Sequence, residues 1–139
     1  MDNLCAKRLR AAQPPIVVIT SNRTREIHDA LKRRCLYHWI DYPDYQKELR
    51  IVQQKVPGVP AKLAQQIVSF VQRLRELELY KSPGVAETLD WAASLMALDV
   101  TSLEPAALED TYRALLKYQD DIVRARAAAQ DLLAQAQTV

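Results

Sequence analysis

The chain has 139 residues, a length that fits one domain or a small domain with part of another. It is 49% hydrophobic, which is too apolar for a disordered tail, yet no apolar run approaches the length needed to cross a membrane. The formal charge of +2 is unevenly divided, because residues 1–55 hold 11 Lys/Arg against 6 Asp/Glu, whereas residues 56–139 hold 8 against 11.

Residues 1–14 match no pattern that we can interpret, and we treat them as an unassigned leader. They carry basic residues but no continuous apolar stretch, so they are not a secretory signal. The two cysteines, Cys5 and Cys35, lie far apart in the sequence and have no partner at zinc-ligand spacing. Reduced thiols in a cytoplasmic protein are the simpler expectation.

The next segment carries two predicted strands with a short basic helix between them. The β-branched run at residues 16–19 is typical of a buried parallel strand, and it ends in a Thr-Ser-Asn tip at Asn22. The helix that follows ends in the basic pair Arg33 and Arg34. A second apolar run at residues 35–40 predicts another strand.

After Pro43 the pattern becomes helical. Asp44 is a good N-cap, and apolar residues then recur at spacings of three and four through four amphipathic segments. Pro57-Gly58 ends the first segment and Pro60 opens the second. Ser82-Pro83 is a capped start of the third, with proline at the first helical position, and residues 101–105 break the chain before the fourth. We therefore expect a helical bundle over residues 44–123. The tail at residues 124–139 has high helix propensity but a thin apolar stripe, so we expect it to fray.

The order strand, polar tip, helix ending in arginines, strand and proline resembles the second half of an AAA+ ATPase core, and most closely the MoxR-like branch. The segments that carry the resemblance are PIVVITSNRTREIHDALKRRCLYHWIDYP at residues 15–43, GVAETLDW at 84–91 and LLKY at 115–118. The resemblance implies a mainly α fold. A helical lid of about four helices would span residues 44–123, preceded by a strand-helix-strand remnant of the AAA+ α/β core at residues 15–43.

The resemblance also implies roles for individual residues. Asn22 would be sensor 1, because a carboxamide at a strand tip can orient the attacking water and touch the γ-phosphate. Arg33 would be the arginine finger, since Leu31-Lys32-Arg33-Arg34 aligns with the family pattern Leu-x-Arg-Phe. Arg34 replaces the usual aromatic residue and is the second candidate. The simpler alternatives are an N-cap for Asn22 and a helix-dipole interaction for the arginines.

The lid departs from the common AAA+ pattern at one position. Many lids begin their third helix with Ser-Pro-Arg, whose arginine (sensor 2) contacts the nucleotide. Here the sequence is Ser82-Pro83-Gly84, so glycine replaces that arginine. Lys81 is the candidate to contact the nucleotide in its place.

The family binds ATP with Mg²⁺, and the binding half of the module is not recognisable here. A glycine-rich loop with a lysine cradles the phosphates in such enzymes. This chain has 2 glycines, and neither lies in a GxxxxGK[ST] pattern. No apolar strand ends in the paired acidic residues that hold magnesium. We therefore expect no ATP hydrolysis and no cofactor for this chain alone. The ATP-binding half could be missing, truncated or on another chain.

Two classes of partner follow from these patterns. The resemblance implies neighbouring AAA+ subunits in a ring, chaperone-like remodelling or maturation of a client, and a von Willebrand A-domain protein as a further partner. The alternative is a basic helical nucleic-acid-binding module, because residues 23–34 contain 5 basic residues in 12. Against it, a predicted strand leads directly into this helix, with no preceding helix to form a helix-turn-helix. We therefore expect neither nucleic acid nor membrane as a partner.

Overall fold

The structure, a computed structural model, describes residues 12–21 and 27–137. Its helices are α1 (Asp29–Lys32), α2 (Tyr45–Lys55), α3 (Ala61–Leu74), α4 (Val85–Ala97), α5 (Pro105–Leu115), α6 (Gln119–Ala127) and α7 (Ala129–Gln137). The mainly α fold is confirmed. The chain divides into two units, Met1–Trp39 and Ile40–Val139, and the second holds the bundle α2–α7. Among the described residues, no helix combines the length and apolar character that crossing a membrane requires.

The strand-helix-strand segment expected at residues 15–43 is formed only in its central helix. Within the described residues of this segment, neither apolar run is a strand, and both runs are exposed: Ile16 is 97% exposed and Leu36 is fully exposed. A strand requires a neighbouring strand with which to exchange backbone hydrogen bonds. No such neighbour is present in the part of the chain that the structure describes.

The starts and ends of α2 and α3 follow from local sequence. Asp44 caps α2 by accepting a hydrogen bond from the Lys47 amide at 2.8 Å, as its position before the helix predicts. The helix ends before Pro57-Gly58, and Gly58 has a φ of 81°, a left-handed conformation that glycine adopts without strain. Pro60 then opens α3, whose intrahelical bonding begins with Ala64 N–H donating to the Pro60 carbonyl.

α4 begins two residues later than the sequence predicts. A proline at the first helical position would have placed the start at Pro83, but the N-cap is Gly84 and the helix begins at Val85. The Glu87 carboxylate accepts a hydrogen bond from the Gly84 amide at 2.9 Å. Because this contact satisfies an amide that would otherwise lack a partner, the helix starts from Gly84.

The core of the bundle is built from one face of each helix and both faces of α3. Helix α3 packs on α2, α4 and α7, and α4 also packs on α5. The largest buried apolar side chains are Trp91, Tyr112, Phe70, Leu63, Ile67, Leu74, Leu95, Leu103, Leu108, Leu115 and Leu116. The four helices predicted from periodicity correspond to α2–α5.

The expected fraying of residues 124–139 is corrected by the structure over the residues it describes. Leu132, Leu133 and Ala136 of α7 are buried against the bundle, and α7 packs on α3. The Gln137 amide also donates to the Leu103 carbonyl at 3.2 Å. Three apolar residues are enough here because α3 is apolar on the side that α7 covers, which a stripe read from α7 alone does not reveal.

Candidate functional site

Arg33 and Arg34 lie at the C-terminal end of α1. The Arg33 amide donates to the Asp29 carbonyl at 3.0 Å, and the Arg34 amide donates to the Leu31 carbonyl at 3.0 Å, so the backbone of both residues is held by the last turn. Both side chains are exposed, and neither guanidinium makes an ion pair or hydrogen bond within the described residues. Two cations are therefore displayed together at a helix end, free to contact an anion on another molecule.

Asn22, the predicted sensor 1, lies outside the described residues. The helix that follows it is shorter at its start than the sequence predicts, because α1 begins at Asp29 with His28 as N-cap. The His28 Nδ1 atom accepts a hydrogen bond from the Ala30 amide at 3.2 Å. The His28 imidazole therefore serves as the capping side chain of α1.

Lys81, the predicted nucleotide contact, lies in the loop between α3 and α4. Its backbone amide donates to Asp121 Oδ2 at 3.1 Å, and the Tyr80 amide donates to Asp121 Oδ1 at 2.7 Å. Asp121 is buried, whereas the Lys81 side chain is exposed. The Asp121 carboxylate thus holds the backbone of this loop in place, while the Lys81 ammonium group remains on the surface. Lys81 belongs to the second unit and the two arginines belong to the first.

A buried polar group that sequence reasoning missed lies where α2, α3 and α4 meet. Glu48 is fully buried and pairs with Arg75 through two parallel hydrogen bonds, in which Arg75 Nη1 donates to Oε2 at 2.7 Å and Nη2 donates to Oε1 at 2.8 Å. Gln72 donates to Glu48 Oε2 at 2.6 Å, and the Thr88 hydroxyl lies 2.9 Å from Glu48 Oε1. We call Tyr42, Glu48, Gln72, Arg75 and Thr88 the Arg75 cluster.

One sequence signal could have indicated this cluster. Glu48 falls on the same face of α2 as Tyr45 and Val52, three residues after the first and four before the second, so a carboxylate occupies an inward position. A carboxylate is buried only with a partner of opposite charge. The partner is 27 residues away, which local spacing does not reveal.

A cavity of ≈ 260 Å³ lies between α5 and α6, lined by Glu109, Asp110, Tyr112, Arg113, Gln119, Ile122 and Arg126. Arg126 and Glu109 form an ion pair at its edge, at 2.9 Å. The Tyr112 hydroxyl is buried, and no described residue forms a hydrogen bond with it. Burial raises the pKa of Tyr112 to about 12, with a further increase from Glu109 and an opposing effect of Arg126. None of the residues predicted from sequence to form a site lines this cavity.

Among residues 12–21 and 27–137, no three His, Cys, Asp or Glu side chains are grouped so that they could hold a metal ion. No family model, curated protein sequence or solved structure matches the chain. Functional inference therefore depends on the residue pattern and on the contacts described above.

Replacing Tyr112 with phenylalanine should leave the free energy of unfolding at pH 7 unchanged or raise it by about 1 kcal/mol, because the removed hydroxyl has no hydrogen-bond partner among residues 12–21 and 27–137. The raised pKa means that folding favours the neutral phenol. That contribution is complete below pH 10, the ordinary value, and is lost as the pH rises through about 12. Wild type should therefore lose more stability than Tyr112→Phe between pH 10 and 12, as measured by urea unfolding followed by circular dichroism.

The exposed Tyr80 offers the matched control for this measurement. Tyr80→Phe also removes one phenol but should keep the wild-type decline in stability above pH 10. A clear loss of stability at pH 7 in Tyr112→Phe would instead show that the hydroxyl has a partner, such as a bound water in the adjacent cavity.

Proposed function

We propose that this chain supplies the sensor 1, arginine-finger and lid part of an AAA+ ATPase of the MoxR-like type. ATP and Mg²⁺ would be gripped by a half of the module whose motifs are not recognisable in this sequence. The observation that carries the proposal is the pair of exposed apolar segments on either side of α1. A folded protein rarely leaves contiguous β-branched and aromatic residues in water unless another surface covers them.

The exposed segments have the chemistry of strands that lack their sheet. Ile16, Val18 and Leu36 are each more than four-fifths exposed, and they belong to the two runs with strand-like composition. Their backbone groups can pair with the edge of a sheet supplied by the ATP-binding half, which would bury the apolar side chains at the same time. In the complete module both runs would then be strands of the AAA+ core.

The arrangement of cations supports the same function. Arg33 and Arg34 end a helix between the two runs, exposed and without a partner in the described residues. A finger must reach a γ-phosphate held by a neighbouring subunit, so it has to project from the surface of its own. Asn22 is the proposed sensor 1, and Lys81 is the proposed nucleotide contact of the lid.

The partners follow from the shared active site. Neighbouring AAA+ subunits would form a ring in which each Arg33 serves the next site. The machine would remodel or mature a client protein in the cytoplasm, with a von Willebrand A-domain protein as a further partner. These assignments rest on the resemblance of residues 15–43, 84–91 and 115–118 to the MoxR-like branch.

The test joins the chain to the ATP-binding half of a MoxR-like module, one that carries the phosphate loop and the magnesium carboxylates. The fused protein should hydrolyse ATP, whereas the isolated chain should show no saturable binding of a fluorescent ATP analogue at micromolar concentration. Val17→Lys should abolish hydrolysis, because a charge on a buried strand prevents pairing. It should also reduce self-association of the isolated chain.

Val123 provides the matched control, since it is an exposed valine of the bundle (55% exposed, against 70% for Val17). Val123→Lys should leave hydrolysis by the fused protein unchanged. Two results would contradict the proposal: competable micromolar ATP binding by the isolated chain, or equal hydrolysis by the ATP-binding half with and without this chain.

A further inference from the structure

The Arg75 cluster connects parts of the bundle that are far apart in sequence. The Glu48 side chain is fully buried and that of Arg75 is 7% exposed, so both charges are removed from water. Desolvating two charges is costly, and their attraction offsets the cost only when the geometry is good and the remaining donors and acceptors are also bonded. The two parallel bonds between the guanidinium and the carboxylate meet the first condition.

The second condition is met by groups from three other segments. The Arg75 Nε atom donates to the Pro83 carbonyl at 2.8 Å, and the Nη2 atom of Arg75 lies 3.4 Å from the Thr88 hydroxyl oxygen. Gln72 donates to Glu48 and also to the Pro43 carbonyl, at 3.0 Å. The ion pair is therefore bonded both to the start of α4 and, through Gln72, to the residues that precede α2.

Tyr42 forms a second connection between the same two places. The Arg75 Cζ atom lies 4.5 Å from the centroid of the Tyr42 ring, a cation–π contact, and the Tyr42 hydroxyl donates to the Ser82 carbonyl at 3.4 Å. Tyr42 and Pro43 are the residues by which the chain enters the bundle, about 40 residues before α4. Both are thus tied to the loop that leads into α4.

We propose that Arg75 is a positioning residue that fastens the entry of the bundle, Tyr42 and Pro43, to the first turn of α4, so that the two places move as one body. An apolar core could hold the helices together equally well, because buried ion pairs are often replaceable without loss of stability. The planar Arg75 guanidinium, with its forked N–H donors, adds hydrogen bonds of fixed direction. Each donor therefore holds a particular carbonyl, carboxylate or hydroxyl oxygen in place. Movement of the entry residues is then passed to Pro83 and Gly84.

This coupling deepens the proposed function, on which its biological meaning rests. In an AAA+ module the entry residues would join the core to the lid, and the loop before α4 would carry Lys81 towards the nucleotide. A displacement of the core strand that precedes Tyr42 would thereby be transmitted to Lys81 without passing through the apolar core. The coupling itself is a property of the bundle and can be tested without nucleotide.

The test measures amide hydrogen exchange by NMR in the full chain. Three amides report on the two places: Glu48, which donates to the Asp44 carbonyl, Gly84, which donates to Glu87, and Thr88, which donates to the Gly84 carbonyl. Arg75→Lys keeps the charge but loses the fork, so exchange at all three should accelerate by at least about tenfold. The Leu132 amide of α7, which donates to the Ala128 carbonyl in a helix that packs on α3, α5 and α6, should change by less than about threefold.

Two further variants separate coupling from general loss of stability. Leu132→Ala removes a buried side chain of α7 outside the cluster. It should not accelerate exchange at the three reporter amides more than at other amides of the bundle. Tyr42→Ala removes a half-exposed ring and should still accelerate exchange at Gly84 and Thr88 by about threefold or more, because the entry residues no longer hold the loop.

The inference is overturned if Tyr42→Ala leaves Gly84 and Thr88 at wild-type rates, or if Arg75→Lys accelerates every amide of the bundle equally. If Arg75→Lys fails to fold, the Tyr42→Ala result decides alone. Failure of the fused protein to hydrolyse ATP would remove the AAA+ assignment and leave the exchange result standing, so the two proposals fail separately.

Discussion

Replacing Arg33 with alanine in a complete ring should lower ATP turnover by about 10³-fold or more and leave ATP affinity nearly unchanged. A finger supplied by a neighbouring subunit acts mainly on the charge that develops in the transition state, so its loss appears in kcat rather than in binding. The Arg33 side chain is exposed at the end of α1, as the proposed role requires. Arg34→Ala is the matched control, and it should reduce turnover far less.

Mixing experiments distinguish a trans finger from a residue that acts on its own site. Rings that combine Arg33→Ala subunits with subunits dead in their phosphate loop should recover activity, because one kind of junction has an intact loop and an intact finger. Asn22→Ala subunits mixed with the same partners should not recover, since sensor 1 serves its own subunit. The finger assignment is wrong if Arg33→Ala fails to recover, or if Arg34→Ala is the only damaging change.

Replacing Trp91 with alanine should lower the free energy of unfolding of the bundle by about 3–5 kcal/mol. The side chain is fully buried, its ring lies 5.3 Å from that of Phe70, and its indole N–H donates to the Thr111 hydroxyl at 2.8 Å. A typical domain is stable by only about 5–15 kcal/mol, so the variant should unfold at much lower urea concentration. Circular dichroism at 222 nm provides the measurement, as it follows the helices directly.

The other tryptophan of the chain is the matched control. Trp39 lies in the first unit and is partly exposed, so Trp39→Ala should change the unfolding of the bundle by no more than about 0.5 kcal/mol. Trp91→Phe, which keeps an aromatic ring against Phe70, should lose less than Trp91→Ala. Equal losses for Trp91→Ala and Trp39→Ala would contradict the placement of Trp91 at the centre of the core.

The helices of the bundle were predictable because their signals are local. Asp44, Pro57-Gly58 and Pro60 each act within a few residues, and the structure starts and ends α2 and starts α3 where they predict. α7 was not predicted as a packed helix, since its burial depends on an apolar side of α3 about 65 residues earlier. Separation in sequence also hid the pairing of Glu48 with Arg75, which lies 27 residues away.

The secondary structure of the apolar runs beside α1 could not be predicted from local sequence alone. Their composition predicts strands, but a strand is completed by hydrogen bonds from outside the segment, and the described residues offer none. The proposed site is limited in the same way as the strands. The structure describes Arg33, Arg34 and Lys81 on the surface, whereas a site shared between subunits would need a neighbouring subunit to complete it.

The capping of α4 has a consequence for engineering a nucleotide sensor into this protein. A Cβ atom at position 84 would lie 2.9 Å from Glu87 Oε2, so a larger residue there requires the end of the Glu87 side chain to shift. The shift costs little, because the carboxylate ends a flexible side chain and can still accept a hydrogen bond from the amide of residue 84. Gly84→Arg is therefore compatible with the cap of α4, and position 84 can accept a cation without a second substitution.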